Sequence, residues 1–371
     1  MIDLSEKLWH NVARKIVKAG TLPFPLTETL MDLLKILITE EQAKFINLFR
    51  KTSMNLNELK ERTDLDEESI IKMLTELLDK GIITGARSRR TGIMVYYLLP
   101  PFPGLFEMSL IRGETGEKEK KLAKIYDRIF GEIGLVTQRE YDFVFEEFKK
   151  FPPLDRVVPV EEEIEPSVEV VLPLEELTSI VENHEVFSLA KCYCRHQKDL
   201  LGRPCSISDE RYNCVQFGKT AQHLIDYNFA KEITKEEALE ILHKAEDDGY
   251  VHKAVHAQLN IEKGLEGFCN CCKCCCGVFE LYYRNVGPIY SRAYYISNLN
   301  EELCVACGTC TKFCPTEAIK CENSIAEIDE ERCIGCGLCA HHCPEKAIKL
   351  IRTGPRDVYI PPPKMTTESY K

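Results

Sequence analysis

Two copies of one cysteine pattern lie near the end of the 371-residue chain. The first is Cys304-x2-Cys307-x2-Cys310-x3-Cys314-Pro315, and the second is Cys333-x2-Cys336-x2-Cys339-x3-Cys343-Pro344. Each continues into Ala-Ile-Lys, at 318–320 and 347–349. Three thiols two residues apart can wrap one cube of iron and sulfide. The fourth cannot bend back to that cube, so it serves the other one, and the proline after it directs the chain away. The spacing therefore predicts one [4Fe–4S] cluster on Cys304, Cys307, Cys310 and Cys343, and a second on Cys333, Cys336, Cys339 and Cys314. Gly308 and Gly337 let the backbone turn close to each cube. Paired C-x2-C runs also serve zinc, but eight cysteines in a duplicated run ending in proline weigh against it.

Over about 295–351 this pattern resembles the bacterial two-cluster ferredoxin domain. The resemblance implies a pseudo-twofold fold of two short hairpins and two helices, with electrons hopping between the clusters. Cys321 falls outside both runs and reads as a free or structural thiol. His341 and His342 read as supporting or exposed residues, since sulfur ligands are already complete.

The chain has 19 cysteines, an odd and tightly clustered number that does not suit a secreted disulfide framework. Ten lie upstream of the repeat: Cys192, Cys194, Cys205 and Cys214 in one group, then Cys269, Cys271, Cys272, Cys274, Cys275 and Cys276. Six thiols in eight positions cannot all face one apolar core. They are candidates for one or two further iron–sulfur clusters, with Lys191, Arg195, Lys198, Arg203 and Lys273 as cations to balance thiolate charge. The adjacent pairs Cys271-Cys272 and Cys275-Cys276 are similar to those of cysteine-rich domains holding a noncubane cluster in heterodisulfide reductases, although the spacing differs.

The first half of the chain has no cysteine. Leu4, Leu8, Val12 and Ile16 recur at helical spacing beside Trp9, predicting an amphipathic helix that packs on its own domain or docks a partner or second copy. Residues 39–100 suggest three helices (40–50, 57–63 with Asn55 as N-cap, 66–80) and a hairpin from 82–85 and 92–97. That order resembles the winged helix-turn-helix domains of bacterial and archaeal transcription regulators. The third helix is acidic, with Asp66, Glu67, Glu68, Glu76 and Asp79 against Lys72 and Lys80. Only the hairpin tip, with Arg87, Arg89 and Arg90, is basic. Phosphate contacts need Lys and Arg, so a protein-interaction role is favoured over DNA, and nucleic acid is an unfavoured partner.

Residues 115–150 read as helical, 152–173 as a proline- and acid-rich linker with a short strand at 168–172, and 174–190 as a helix. A further helix spans 235–248, with Thr234 and Glu237 as a capping box. The expected class is α+β: a winged-helix-like domain at 1–110, a helical segment and linker at 111–173, a mainly helical cysteine-rich domain at 174–294, the two-cluster domain at 295–352 and a tail at 353–371. The order of these parts resembles multidomain ferredoxin-type proteins of anaerobes.

The formal net charge of −11 argues against broad affinity for polyanions. No signal peptide or membrane span is evident, so a cytoplasmic location is expected. No G-x-G-x-x-G or Walker loop appears, so no flavin or nucleotide is expected. Three functions compete: an electron-transfer protein or redox-complex subunit working with a redox partner protein, an iron–sulfur oxidoreductase with a catalytic upstream cluster, and a redox-sensing DNA-binding regulator. The first needs nothing beyond the repeat.

Overall fold

The computed structural model describes residues 4–21, 24–88, 90–150, 155–164, 176–256, 264–286, 292–322 and 325–356, with 360, 362, 364 and 365. The expected strand at 168–172 and Arg89 lie outside them. The chain divides into two compact units: Met1–Ile133 with His196–Arg203, and Gly134–Arg195 with Pro204–Lys371.

The first unit begins with α1 (Leu4–Ala19), α2 (Glu28–Leu37) and α3 (Glu40–Ile46). On α1, Val12 and Ile16 are fully buried and Trp9 nearly so, which places the apolar stripe within this unit. Next come β1 (Ser53–Asn55), α4 (Leu56–Lys60), α5 (Glu67–Asp79), β2 (Ile83–Arg87) and β3 (Met94–Leu98). Asn55 caps α4 by a reciprocal box with Glu58. Helix α5 buries Ile70, Met73, Leu74, Leu77 and Leu78. The sheet order is β1-β3-β2, both pairs antiparallel. Helices α6 (Phe106–Leu110) and α7 (Glu117–Arg139) follow, joined by the buried rings of Phe106, Tyr126 and Phe130.

The second unit contains α8 (Tyr141–Phe148), β4 (Asp155–Val158), α9 (Leu177–Glu182) and β5 (Phe187–Lys191). The chain continues through α10 (Tyr193–Leu200), β6 (Tyr212–Phe217), α11 (Gly218–Asp226), β7 (Lys231–Ile233), α12 (Lys235–Asp247), β8 (Val251–Val255), β9 (Gly267–Cys271) and α13 (Gly277–Tyr283). Six of these strands form one antiparallel sheet in the order β4-β8-β9-β6-β5-β7.

Two expectations need correction here. The helix read over 174–190 stops at Glu182, and Phe187–Lys191 is a strand. Strand β5 lies between β6 and β7 with both faces covered, so its side chains are apolar or small on both sides and give no alternation to read. The reading of 174–294 as mainly helical also missed the sheet at its centre.

Register explains the use of the two faces. Phe187, Leu189, Val215, Phe217, Ala254 and Phe268 pack in one core with Leu177 and Ile180 of α9 and Ala238 and Leu242 of α12. Alternation turns their neighbours the other way. Ala190 pairs with Cys214, Cys214 with Cys269, Cys269 with Lys253 and Cys271 with Val251. One face of the sheet is therefore greasy, and the other carries thiols.

The last part holds β10 (Tyr295–Leu299), α14 (Thr309–Phe313), β11 (Ile319–Glu322), β12 (Ile325–Ile328), α15 (Leu338–His341) and β13 (Ile348–Arg352). The pairs β10–β13 and β11–β12 are antiparallel. Mixed helix and strand throughout makes the fold α+β. No helix among the described residues is long and apolar enough to cross a membrane.

Candidate iron–sulfur centres

The duplicated sequence gives a duplicated backbone. Ala306 and Gly335, Gly308 and Gly337, and Glu317 and Lys346 occupy equivalent places, and all have positive φ. Cys314 Sγ accepts the Ala318 N–H at 3.2 Å, and Cys343 Sγ accepts the Ala347 N–H at 3.3 Å. Gly335 is required by close approach: a Cβ there would stand 2.2 Å from the Tyr295 carbonyl oxygen.

Each half closes on a cavity. One, of about 350 Å³, is lined by Cys304, Cys307, Cys310 and Cys343. The other, of about 280 Å³, is lined by Cys314, Cys333, Cys336 and Cys339. Each cavity thus takes three cysteines from one run and the fourth from the other. Four soft sulfurs around an open space fit an iron–sulfur cube. Burial raises the Cys310 thiol to about 11 and also pushes Cys336 and Cys339 up, so without metal these thiols keep their protons.

Several neighbours were not foreseen. Ser297 Oγ lies 3.0 Å from Cys339 Sγ and 3.8 Å from Cys333 Sγ, and is itself buried. A serine in a strand carries no sequence signal for this. Cys321 also lines the first cavity, its Sγ 3.4 Å from the Ala306 carbonyl. His342 stacks on Phe313, centroids 3.6 Å apart, and meets the Glu246 carbonyl at 3.1 Å; His341 reaches Asp247. Both histidines tie the end of α12 to the second cysteine run.

The ten upstream cysteines do not divide as they do in sequence. Cys205, Cys272, Cys274 and Cys275 form one group, with their Sγ atoms all within 4.8 Å of one another. The other six interact in series: Cys192 with Cys194, Cys194 with Cys276, Cys276 with Cys271, Cys271 with Cys269, and Cys269 with Cys214. Strands β6 and β9 supply Cys214, Cys269 and Cys271. Cys192 directly precedes α10, Cys194 lies in its first turn, and Cys276 is the N-cap of α13. Gly277 N–H donates to Cys194 Sγ at 3.2 Å, and Gln216 Nε2 donates to Cys214 Sγ at 2.7 Å.

Acidity alternates along that chain. Hydrogen bonds lower Cys192 (from Cys194 first), Cys276 (from Cys194) and Cys269 (from Cys214), while Cys194, Cys271 and Cys214 are raised by donating to them. In the smaller group, Cys205 is held below the ordinary thiol range, chiefly by Cys272. Cys274 sits at about 6, where contacts with Cys272 and Cys275 offset the upward push from Cys205.

Two buried cations balance this charge. Arg195 is wholly buried and donates to the Glu210 and Asn270 carbonyls at 3.1 and 2.9 Å, its guanidinium 4.0 Å over the Tyr250 ring. Burial opposes its charge, but Cys192 and Cys272, one from each group, more than offset that. Lys253 is buried on the thiol face and paired with Asp155, and its charge is further favoured by Cys271 and Cys276. Lys253 was missed; a lysine inside the apolar strand 251–255 was the available signal. Of the cations named from sequence, Arg203 pairs instead with Asp127 within the first unit, Lys273 pairs with Glu317, Lys191 lies over Tyr212, and Lys198 belongs to the first unit.

Residues 297–350 match the family model of a 4Fe-4S dicluster domain. The dicluster domain and the cysteine-rich region together fit an iron–sulfur protein. No curated protein and no solved structure matches the chain.

Proposed function

We propose that the chain is an iron–sulfur electron-transfer protein, or the electron-carrying subunit of a redox complex, that passes single electrons to or from a partner oxidoreductase. The observation that carries this reading is continuity of the core. Cys271 and Cys276 of the six-sulfur chain share one apolar core with Cys336, through Phe279, Tyr282 and Leu338. Cys310 and Cys339, from the two different cavities, share the next. Both cavities and the six-sulfur group are thus joined by packed side chains.

Bound [4Fe–4S] clusters supply one-electron redox chemistry. In this reading Cys304, Cys307, Cys310 and Cys343 hold one cluster, and Cys333, Cys336, Cys339 and Cys314 the other. The six-sulfur group holds a further iron–sulfur centre, with Lys253 and Arg195 compensating its charge. The Ala318 and Ala347 amides and the Ser297 hydroxyl donate to ligand sulfurs, which favours the reduced form. Cys307 and Val305, both lining the first cavity, are exposed while Cys333, Cys336 and Cys339 are buried, so the first cavity is the end that meets a redox partner.

The segment from α3 to β3 serves as a winged helix used for protein contact. Lys60 pairs with Glu67 on α5, and no basic residue stands in the last turn of that helix. A second reading, catalysis at the six-sulfur group, is favoured by its two sulfurs beyond the four a cube needs. It requires a substrate-dependent change in one cluster signal, and a signal indifferent to thiols, quinones and acyl-thioesters removes it. The electron-transfer reading is tested by anaerobic photoreduction followed by reoxidation with a one-electron acceptor protein. Both dicluster signals must appear and then vanish on stoichiometric transfer, and clusters that stay oxidised at strongly negative potential contradict it.

A further inference from the structure

The four-sulfur group differs from the dicluster cavities in its spacing. Cys205 Sγ lies 3.8 Å from Cys272 Sγ and 3.7 Å from Cys274 Sγ, and Cys274 and Cys275 are 3.6 Å apart. Four thiolates around one ion, with metal–sulfur bonds of about 2.3 Å, sit at the corners of a tetrahedron whose edges are about 3.8 Å. A cube puts each thiolate on a different iron and spreads the sulfurs around a much larger core. Among the described residues this is the one group in which at least three ligand atoms of this kind all lie within 4.8 Å of one another, and the eight dicluster sulfurs do not meet that condition.

We propose that Cys205, Cys272, Cys274 and Cys275 form a mononuclear tetrathiolate site that takes one zinc or one iron ion, and no cluster. The donors suit this. Three of the four are buried, and Cys274 alone is exposed, so an ion can reach the site from solvent while the coordination closes on all four sides. The surroundings suit it too. Arg195 is wholly buried, its Nε atom has no hydrogen-bond partner, and the guanidinium interacts with Cys272. A divalent ion with four thiolates leaves a net negative charge, which a buried guanidinium relieves. Tyr250 and Ala245 close the apolar side.

The site would staple the loop that carries Cys205 to the turn 272–275, directly after β9. The same turn leads into Cys276, a member of the six-sulfur chain, and the Cys276 N–H donates to the Cys272 carbonyl at 3.0 Å. The ion's work is to fix that sulfur in place.

The test uses the full chain purified without oxygen, assayed for zinc, iron and acid-labile sulfide, as wild type and as the Cys205→Ser and Cys274→Ser variants. Wild type should hold one ion beyond the iron that is matched by sulfide. Both variants should lose that ion, at least tenfold in occupancy, with sulfide-matched iron unchanged. Loss of zinc or loss of one sulfide-free iron decides which ion it is. Loss of about four irons together with four sulfides, or no loss at all, overturns the proposal. Cobalt-grown wild type gives a readout independent of variant folding: the intense visible absorption of tetrahedral thiolate cobalt is expected, and its absence also overturns the proposal.

Discussion

Ser297 marks a difference between the two halves of the repeat. The offset that carries Cys304 onto Cys333 carries Ser297 onto Ala326, which lines the first cavity without a hydroxyl. One centre therefore has a hydroxyl 3.0 Å from a ligand sulfur at a position where the other has only a methyl group. A hydrogen bond to a ligand sulfur stabilises added electron density. Ser297→Ala should make one midpoint potential more negative in an EPR-monitored redox titration and leave the other unmoved; two unmoved potentials would refute it. Gly335 has φ +71° and no room for a methyl group. Gly335→Ala should cost about 2 kcal/mol or more and lower iron retention, read as melting temperature and iron per chain. Arg195 bonds two carbonyls and faces two sulfur groups. Arg195→Met should destabilise the unit by about 3 kcal/mol, because buried charge is left uncompensated, and an unchanged chemical denaturation midpoint would argue against its role.

At the scale of elements, sequence reached what is local. The capping box of α12 was readable because it is written in two residues three apart, and the structure has Glu237 N–H donating to Thr234 Oγ1 at 3.1 Å and Thr234 N–H to Glu237 Oε2 at 2.8 Å. Thr234→Ala should cost about 1 kcal/mol, measurable by thermal melt. The repeat was readable because its spacing alone restricts which sulfurs can meet. What stayed hidden depends on pairing between distant strands. Cys214 and Cys269 face each other only because β6 and β9 are neighbours in the sheet. Nothing near Cys205 says that it joins Cys272, Cys274 and Cys275 and leaves Cys192 and Cys194 to the other group. Strand β5 shows no alternation in its sequence, because both its faces are covered.

Over the whole molecule, the thiols form linked sites within the second unit: two cavities each lined by four cysteines of the repeat, with Cys321 beside the first, then a series of six and a close group of four. Shared apolar cores join the cavities to each other and to the six-sulfur chain. Arg195 interacts with Cys192 of that series and with Cys272 of the four-sulfur group. In the proposed function, the dicluster domain carries two cubes that accept electrons. It is tested most directly by iron and sulfide analysis of fully loaded, anaerobically purified protein, together with the EPR spectrum after reduction. At least about eight irons matched by sulfide and a spectrum broadened by two neighbouring reduced clusters are expected. Fewer irons, or the signal of one isolated cluster at full reduction, would contradict it.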